Sequence, residues 1–271
     1  MNILETIQSR YGSLTKKQRE IADYLLENPA DVCYTSIAGL CERTNCAPVT
    51  MLKFCKAVGF PNYIELKKEF RSYNQTLINQ FSVSSYTVPQ EVAAGNFQIP
   101  YLEALCQEEL HRISQFYQQL DLKPVWQAAN ALAQKQVIYL FAHDASNTMA
   151  LFLKNRLDIL NCNVVLVDLS EMKTVEYVLN QITVNDIAVV FSFPNYYYSV
   201  ASVAGHIKKK ECELILLANG MDCPVTPYAD HAIFCETRTK IFHNSWILPM
   251  AALNLLTSTL AIILEDHPEN Q

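Results

Sequence analysis

The sequence predicts two domains of different class: an all-α N-terminal domain containing a helix-turn-helix, then an α/β domain on a doubly wound, five-stranded parallel sheet. Three observations carry this. Apolar residues recur at helical spacing through the first 77 residues, with capping and breaking signals between the segments. That periodicity then fades in a stretch containing Ser82, Ser84, Ser85, Thr87, Pro89, Gly95 and Pro100. Beyond residue 136, short continuous apolar runs alternate with helical patterns, the signature of parallel strands buried on both faces. The expected boundaries are 1–77 for the helical domain, 78–100 for a linker and 101–271 for the α/β domain.

The helical domain opens with a short helix over residues 2–10. Thr15 and Gln18 have the spacing of a capping box, followed by the stripe Ile21, Ala22, Leu25 and Leu26, and Asn28-Pro29 ends that helix. Residues 35–59 read as two short helices and a tight turn. Ile37, Ala38, Leu40 and Cys41 are the apolar stripe of the first, and Asn45 suits a left-handed turn residue. Pro48 fits the first position of the second helix, and Gly59 stops it. Val49, Leu52, Phe54 and Cys55 are its expected apolar face, leaving Thr50, Lys53 and Lys56 for a partner. This is the layout of a helix-turn-helix, whose second helix enters a DNA major groove; an ordinary helical hairpin has the same outline. Asn62 and Glu65 then cap a further helix, on which Lys67, Lys68 and Arg71 could lie along a phosphate backbone.

Charge is unevenly distributed. The net charge is −6, but residues 1–77 hold ten Lys and Arg against eight Asp and Glu, whereas the remainder holds eleven against nineteen. From Arg43 to Arg71 there are six basic residues and two acidic ones, a local basic face beside an acidic body. Nine cysteines contain no C-x-x-C pair, and the spacing of Cys41, Cys46 and Cys55 matches no structural zinc pattern, so no metal is expected. The N-terminal residues lack a basic stretch followed by an apolar signal core, which places the expectation in the cytoplasm. Residues 241–264 contain no Asp, Glu, Lys or Arg and are long enough to span a bilayer. Pro249, Asn254, Thr257, Ser258 and Thr259 interrupt them, and a buried core or subunit-interface helix is the reading preferred over a membrane anchor.

Within the α/β domain, helices are expected near residues 101–119 and 124–134, and strands at 137–142, 164–167, 187–191, 214–218 and 232–235. Helices at 147–160, 172–180 and 197–209 separate them. In such a sheet a ligand lies beyond the carboxyl ends of the strands. Two segments follow strand ends there: AHDASN (142–147) and SFPNYYYS (192–199). Ser146, Ser192, Asn195 and Ser199 put hydroxyl and amide groups near helix starts, suited to a phosphorylated or polyhydroxy molecule. Simple helix caps beside loop aromatics would leave the same pattern. Neither segment contains glycine, so no dinucleotide fingerprint is present and no cofactor is expected.

Leu14, Thr15, Arg19, Ile21, Ala22, Tyr24 to Pro29 and Lys53 to Pro61 form a constellation that, with the following α/β domain, resembles the RpiR-type bacterial transcription regulators. The resemblance spans nearly the whole chain. It implies a C-terminal sugar isomerase (SIS) domain that binds a phosphosugar without catalysis, control of carbohydrate genes, and assembly as a homodimer or homotetramer. The DNA-facing residues it suggests are Arg43, Pro48, Thr50, Lys53, Lys56 and Lys67. The chain departs from the family in both ligand loops. Where the family has G-x-G-x-S, this sequence has Ala142, Asp144 and Ser146; where it has S-x-S-G-x-T, only Ser192 matches, followed by Pro194, Asn195 and Tyr197. Lost glycines and an added carboxylate disfavour an anion, so the expected effector is a different sugar phosphate or a neutral sugar derivative, or these loops bind none. The alternatives are a SIS-fold isomerase, with His143, Asp144 or His206 as base, and a sugar-binding module whose helical domain contacts a protein.

Overall fold

The computed structural model describes residues 2–81, 99–194, 199–241 and 244–266. The helical domain comprises α1 (Ile3–Arg10), α2 (Lys16–Glu27), α3 (Pro29–Val32), α4 (Ile37–Arg43), α5 (Pro48–Ala57) and α6 (Tyr63–Phe81). Local signals start these helices. Thr15 and Gln18 form the expected capping box on α2, a second box joins Asn2 and Glu5 on α1, and Asn62 Oδ1 accepts from Glu65 N (3.0 Å) at the start of α6. Ile7, Ile21, Leu25, Leu40, Met51, Phe54, Leu66 and Phe70 are fully buried together.

α6 outruns its expected end and continues to Phe81, into the stretch assigned to the linker. Asn74 explains part of this. Its amide is completely buried and donates to Cys33 Sγ (2.9 Å) and to the Phe70 carbonyl (2.9 Å), so a polar residue just before the expected linker is anchored against the segment after α3. The rest of the expected linker, residues 82–98, lies outside the described residues.

The second domain begins with α7 (Ile99–Gln119) and α8 (Leu122–Ala133). The sheet is then laid down as β1 (Ile138–Ala142), α9 (Ser146–Ile159), β2 (Val164–Asp168), α10 (Met172–Gln181), β3 (Ile187–Ser192), α11 (Val200–Lys209), β4 (Glu213–Ala218) and β5 (His231–Phe234), closed by α12 (Ile247–Asp266). All five strands are parallel, in the order β2-β1-β3-β4-β5, as expected for a doubly wound sheet. Alternate side chains serve the two faces. Ile187, Val189 and Phe191 pack toward α8, α9 and α12; Ala188 and Val190 pack toward α10 and α11. The helical domain joins the core on the α10–α11 side.

α12 starts six residues later than the uncharged stretch does. It is long and apolar enough to cross a membrane by length and composition, yet Leu248, Ala252, Leu253, Leu256, Leu260 and Ile263 form a buried stripe against α8 and α9. Its place is the cover of one sheet face, with Ile262 left exposed on the outside.

Candidate functional site

The turn between α4 and α5 is built locally. Ser36 caps α4 by accepting from Gly39 N (3.2 Å), and the chain leaves that helix through Asn45, which has a φ of 46°. Cys46 N donates back to the Cys41 carbonyl (2.9 Å), and Pro48 opens α5 without a side-chain cap before it. Gly59 follows α5 at φ 95°, and a Cβ there would stand 3.1 Å from the Arg10 guanidinium. α5 buries Met51, Phe54 and Cys55, and its other face is open: Pro48, Val49, Leu52, Lys53 and Lys56 are exposed and Thr50 is half-buried.

This differs from the expected apolar face in two residues. Val49 and Leu52 point to solvent, while Met51 and Val58 take the core positions. Met51, Phe54, Cys55 and Val58 stand at i, i+3, i+4 and i+7, a better helical stripe than one beginning at Val49.

Two of the expected DNA-facing residues lie elsewhere, and the placement corrects that expectation. Arg43 turns away from the open face of α5 and forms an ion pair with Asp31 on α3. It also donates from Nη2 to His206 Nε2 (3.0 Å) on α11 and from Nη1 to the Tyr24 hydroxyl (3.3 Å). Lys67 is 7 % exposed; its ammonium donates to the Thr35 carbonyl (2.9 Å) and to Glu176 on α10. Arg71 shares Glu176 and donates to the Cys33 carbonyl (3.0 Å). The physical reason is the carboxylates: once these long side chains are covered by the second domain, their charges need Asp31 and Glu176 as partners.

This polar junction is completed by Ser202, whose hydroxyl donates to Asp31 (3.2 Å), and by His206. Burial, reinforced by the neighbouring Arg43, Lys209 and Lys67 charges, lowers the His206 pKa to about 4 against a hydrogen bond to the Ser202 carbonyl that favours the cation. The neutral ring places its proton on Nδ1 toward the Ser202 carbonyl (2.8 Å), leaving Nε2 to accept from Arg43. Burial also lowers the Lys67 pKa, with Glu176 opposing that shift.

The second site lies where the strand order reverses. β1 and β3 are neighbours, and the chain runs from them to opposite edges of the sheet, the position at which such sheets bind ligands. After β1, Asp144 takes a φ of 51°, the left-handed conformation that a glycine adopts without cost. Ser146 is committed to this loop: its hydroxyl donates to the His143 carbonyl (2.6 Å) and accepts from His143 N (2.9 Å). Asn147 Nδ2 donates to Asp168 Oδ2 (2.8 Å) at the end of β2, and Asp168 Oδ1 accepts from Ser170 N (2.8 Å). After β3 the situation is reversed. Ser192 and Ser199 are 3 % and 1 % exposed, and neither hydroxyl has a hydrogen-bond partner among the described residues. Asn195 falls in the segment 195–198, outside the described residues.

Sequence reasoning missed Asn219, Thr237 and Asn244. Asn219 Oδ1 accepts from Thr237 N (2.9 Å) and Oγ1 (3.0 Å), and Asn244 Nδ2 donates to the Pro194 carbonyl, tying the ends of β3, β4 and β5 together. Their signal was position: Asn219 directly follows β4, and Thr237 lies just past β5.

Comparison with known proteins matches this order of domains. Residues 1–76 match the helix-turn-helix domain of the rpiR family, and residues 131–259 match the SIS domain. An rpiR-family helix-turn-helix domain followed by a SIS domain is the arrangement of the RpiR type. Over 270 residues it is 25 % identical to an HTH-type transcriptional regulator of Haemophilus influenzae, covering 99 % of this chain and 92 % of that one. It is 29 % identical over 150 residues to the transcriptional regulator HexR of Pseudomonas aeruginosa, 55 % of this chain and 50 % of that protein. The sugar isomerase domain of an RpiR transcription factor from Sphaerobacter thermophilus superposes with a TM-score of 0.57 at 18 % identity, covering 64 % of this chain and 94 % of that one. The NanR protein of Vibrio vulnificus, solved with ManNAc-6P, superposes with a TM-score of 0.52 at 18 % identity over 99 % of this RpiR-type chain and 94 % of its own. At that identity both structures speak to the fold.

Proposed function

We propose that this RpiR-type protein is a cytoplasmic transcriptional regulator of carbohydrate-metabolism genes. In this reading α5 enters the major groove of double-stranded operator DNA, with Pro48, Thr50, Lys53 and Lys56 at the interface. A homodimer or homotetramer presents paired α5 helices about one DNA turn, ~34 Å, apart. A sugar phosphate or related sugar derivative binds at the crevice between the β1 and β3 loops and shifts DNA affinity. The similarity to HTH-type transcriptional regulators supports the DNA half, and the ManNAc-6P complex of NanR supports the effector half.

The observation that carries the effector half is the pair of buried hydroxyls of Ser192 and Ser199, without a hydrogen-bond partner among the described residues, beside the reversal point of the sheet. A buried hydroxyl without a partner costs about 1–3 kcal/mol, and a hydroxylated ligand relieves that cost where an apolar one does not. Ser146 contributes its loop geometry, since its hydroxyl is already bonded twice. The function in this reading is binding, without turnover, as suits a chain whose relatives are described as transcriptional regulators.

Duplexes from upstream promoter regions, titrated by fluorescence anisotropy at several salt concentrations, test the DNA half; a steep fall of affinity with salt is expected. A thermal-shift series of sugar phosphates, amino sugars and neutral sugars tests the effector half, because a ligand of the folded state raises its melting temperature. Flat salt dependence, or isomerisation of an added sugar phosphate, overturns the corresponding half.

A further inference from the structure

Three large apolar side chains are exposed on the described part of the helical domain, and two of them, Val49 (62 %) and Leu52 (40 %), sit on the open face of α5. Three residues apart, they lie in successive turns of one helix face, near its N-terminal end. Lys53 and Lys56 stand one helical turn beyond them, at i+4 from each, and are exposed as well. The opposite face is fixed by Met51, Phe54 and Cys55, none of which has any exposure, so α5 cannot roll to bury Val49 and Leu52 without exposing the core.

The composition of α5 limits what it can read. It contains no Arg, Asn, Gln, Asp or Glu, so of the side chains that read base edges by paired or charge-assisted hydrogen bonds it has only lysine, which can reach guanine. Thr50 and two lysines are its polar groups on or beside the open face. Lysine is a point charge on a flexible stem and serves the phosphates readily. The major groove offers one apolar feature, the C5-methyl group of thymine.

We propose that Val49 and Leu52 form an apolar reading edge that recognises thymine methyl groups, so that operator choice rests on methyl contacts in the major groove. This rests on α5 being the recognition helix. The flanking Lys53 and Lys56 supply the charge complementarity that brings a nucleic acid, in preference to a second copy of this chain, onto the apolar pair.

The test starts by selecting tight-binding duplexes from a random pool with the full-length protein. Each thymine of the selected half-site is then replaced singly by deoxyuridine, which deletes the methyl and keeps the hydrogen-bonding groups. Replacement at one or two positions per half-site is expected to weaken binding about 4-fold, the loss from uncovering one methyl-sized group. Val49→Ala and Leu52→Ala should each lose that sensitivity at their own position, while Lys53→Ala weakens binding to thymine and uracil duplexes alike. Both alanine variants should keep the wild-type melting temperature, since the replaced side chains are exposed.

Tight, salt-dependent binding with no uracil effect at any position overturns the proposal and leaves the recognition-helix reading standing. A uracil effect that persists unchanged in both alanine variants also overturns it, by assigning the methyl sensitivity elsewhere. Variants that change the oligomeric state, without altering uracil sensitivity, show that the apolar pair contacts a second copy. Failure to select any duplex removes the recognition-helix reading itself.

Discussion

The helical domain has two basic surfaces, and they are built on opposite terms. On α5, Lys53 and Lys56 stand in solvent beside Val49 and Leu52 with no carboxylate near them among the described ion pairs. At the junction with the second domain, Arg43, Lys67 and Arg71 are tied to Asp31 and Glu176 and to backbone carbonyls. The residue types are the same and the roles differ, because desolvation makes a cation structural while exposure leaves it free for an incoming phosphate. A count of basic residues therefore overstates the DNA-facing charge of this domain.

The largest expected effect comes from breaking the junction. Glu176→Ala leaves Lys67 buried without its carboxylate. Losing a fully buried partner costs roughly 3–5 kcal/mol, and Glu176 keeps 25 % of its side chain exposed, so the loss should fall below that range. Urea denaturation measures it, and an unchanged midpoint would mean that the two domains do not dock through Glu176.

Next comes the contrast between the two surfaces. Lys53→Ala should reduce the slope of log affinity against log salt by about 0.9 and leave the melting temperature in place. Arg43→Ala should do the opposite, lowering the melting temperature because Asp31 and His206 lose their shared partner. Equal effects of both variants on stability would erase the distinction.

A similar pair tests the effector loops. Ser192→Ala removes a buried hydroxyl that has no partner among the described residues, so the free protein should be as stable as wild type or up to about 1 kcal/mol more stable. Its ligand-induced thermal shift should fall. Ser146→Ala removes two hydrogen bonds and should destabilise the free protein by about 1 kcal/mol. Loss of stability in Ser192→Ala would show that its hydroxyl is already paired.

The last test is the pH dependence from His206. Its folded pKa, about 4, lies below the ordinary value of 6.5, so the unfolded chain binds the proton first on acidification. The contribution of the neutral ring is present above about pH 6.5 and is lost as pH falls toward 4. His206→Gln, which does not titrate, should show a shallower decline over that window in chemical denaturation at a series of pH values. An equally steep decline would place the acid sensitivity in the carboxylates instead.

The candidate sites were legible to different depths. The turn at Asn45, the start at Pro48 and the stop at Gly59 were all readable, because each depends on the conformational preference of one residue. The loops after β1 and β3 were singled out as candidates because a parallel sheet presents its strand ends to a ligand. Asn219, Thr237 and Asn244 were not, since each acts through a partner on another loop. The exposure of Val49 and Leu52 escaped for a related reason: a run of Val, Met, Leu and Phe offers two helical stripes, and only the packing selects one.

By itself the sequence determined the order of domains, the caps and breaks of the helices, and the five buried parallel strands. Those features arise from periodicity and from contacts within a few residues. The tertiary structure decided which cations are buried, which face of α5 is open and which serine hydroxyls lack partners among the described residues. Those depend on groups brought together from far apart in the chain, such as Arg43 with His206 and Lys67 with Glu176, where burial rather than residue type sets the cost of a charge.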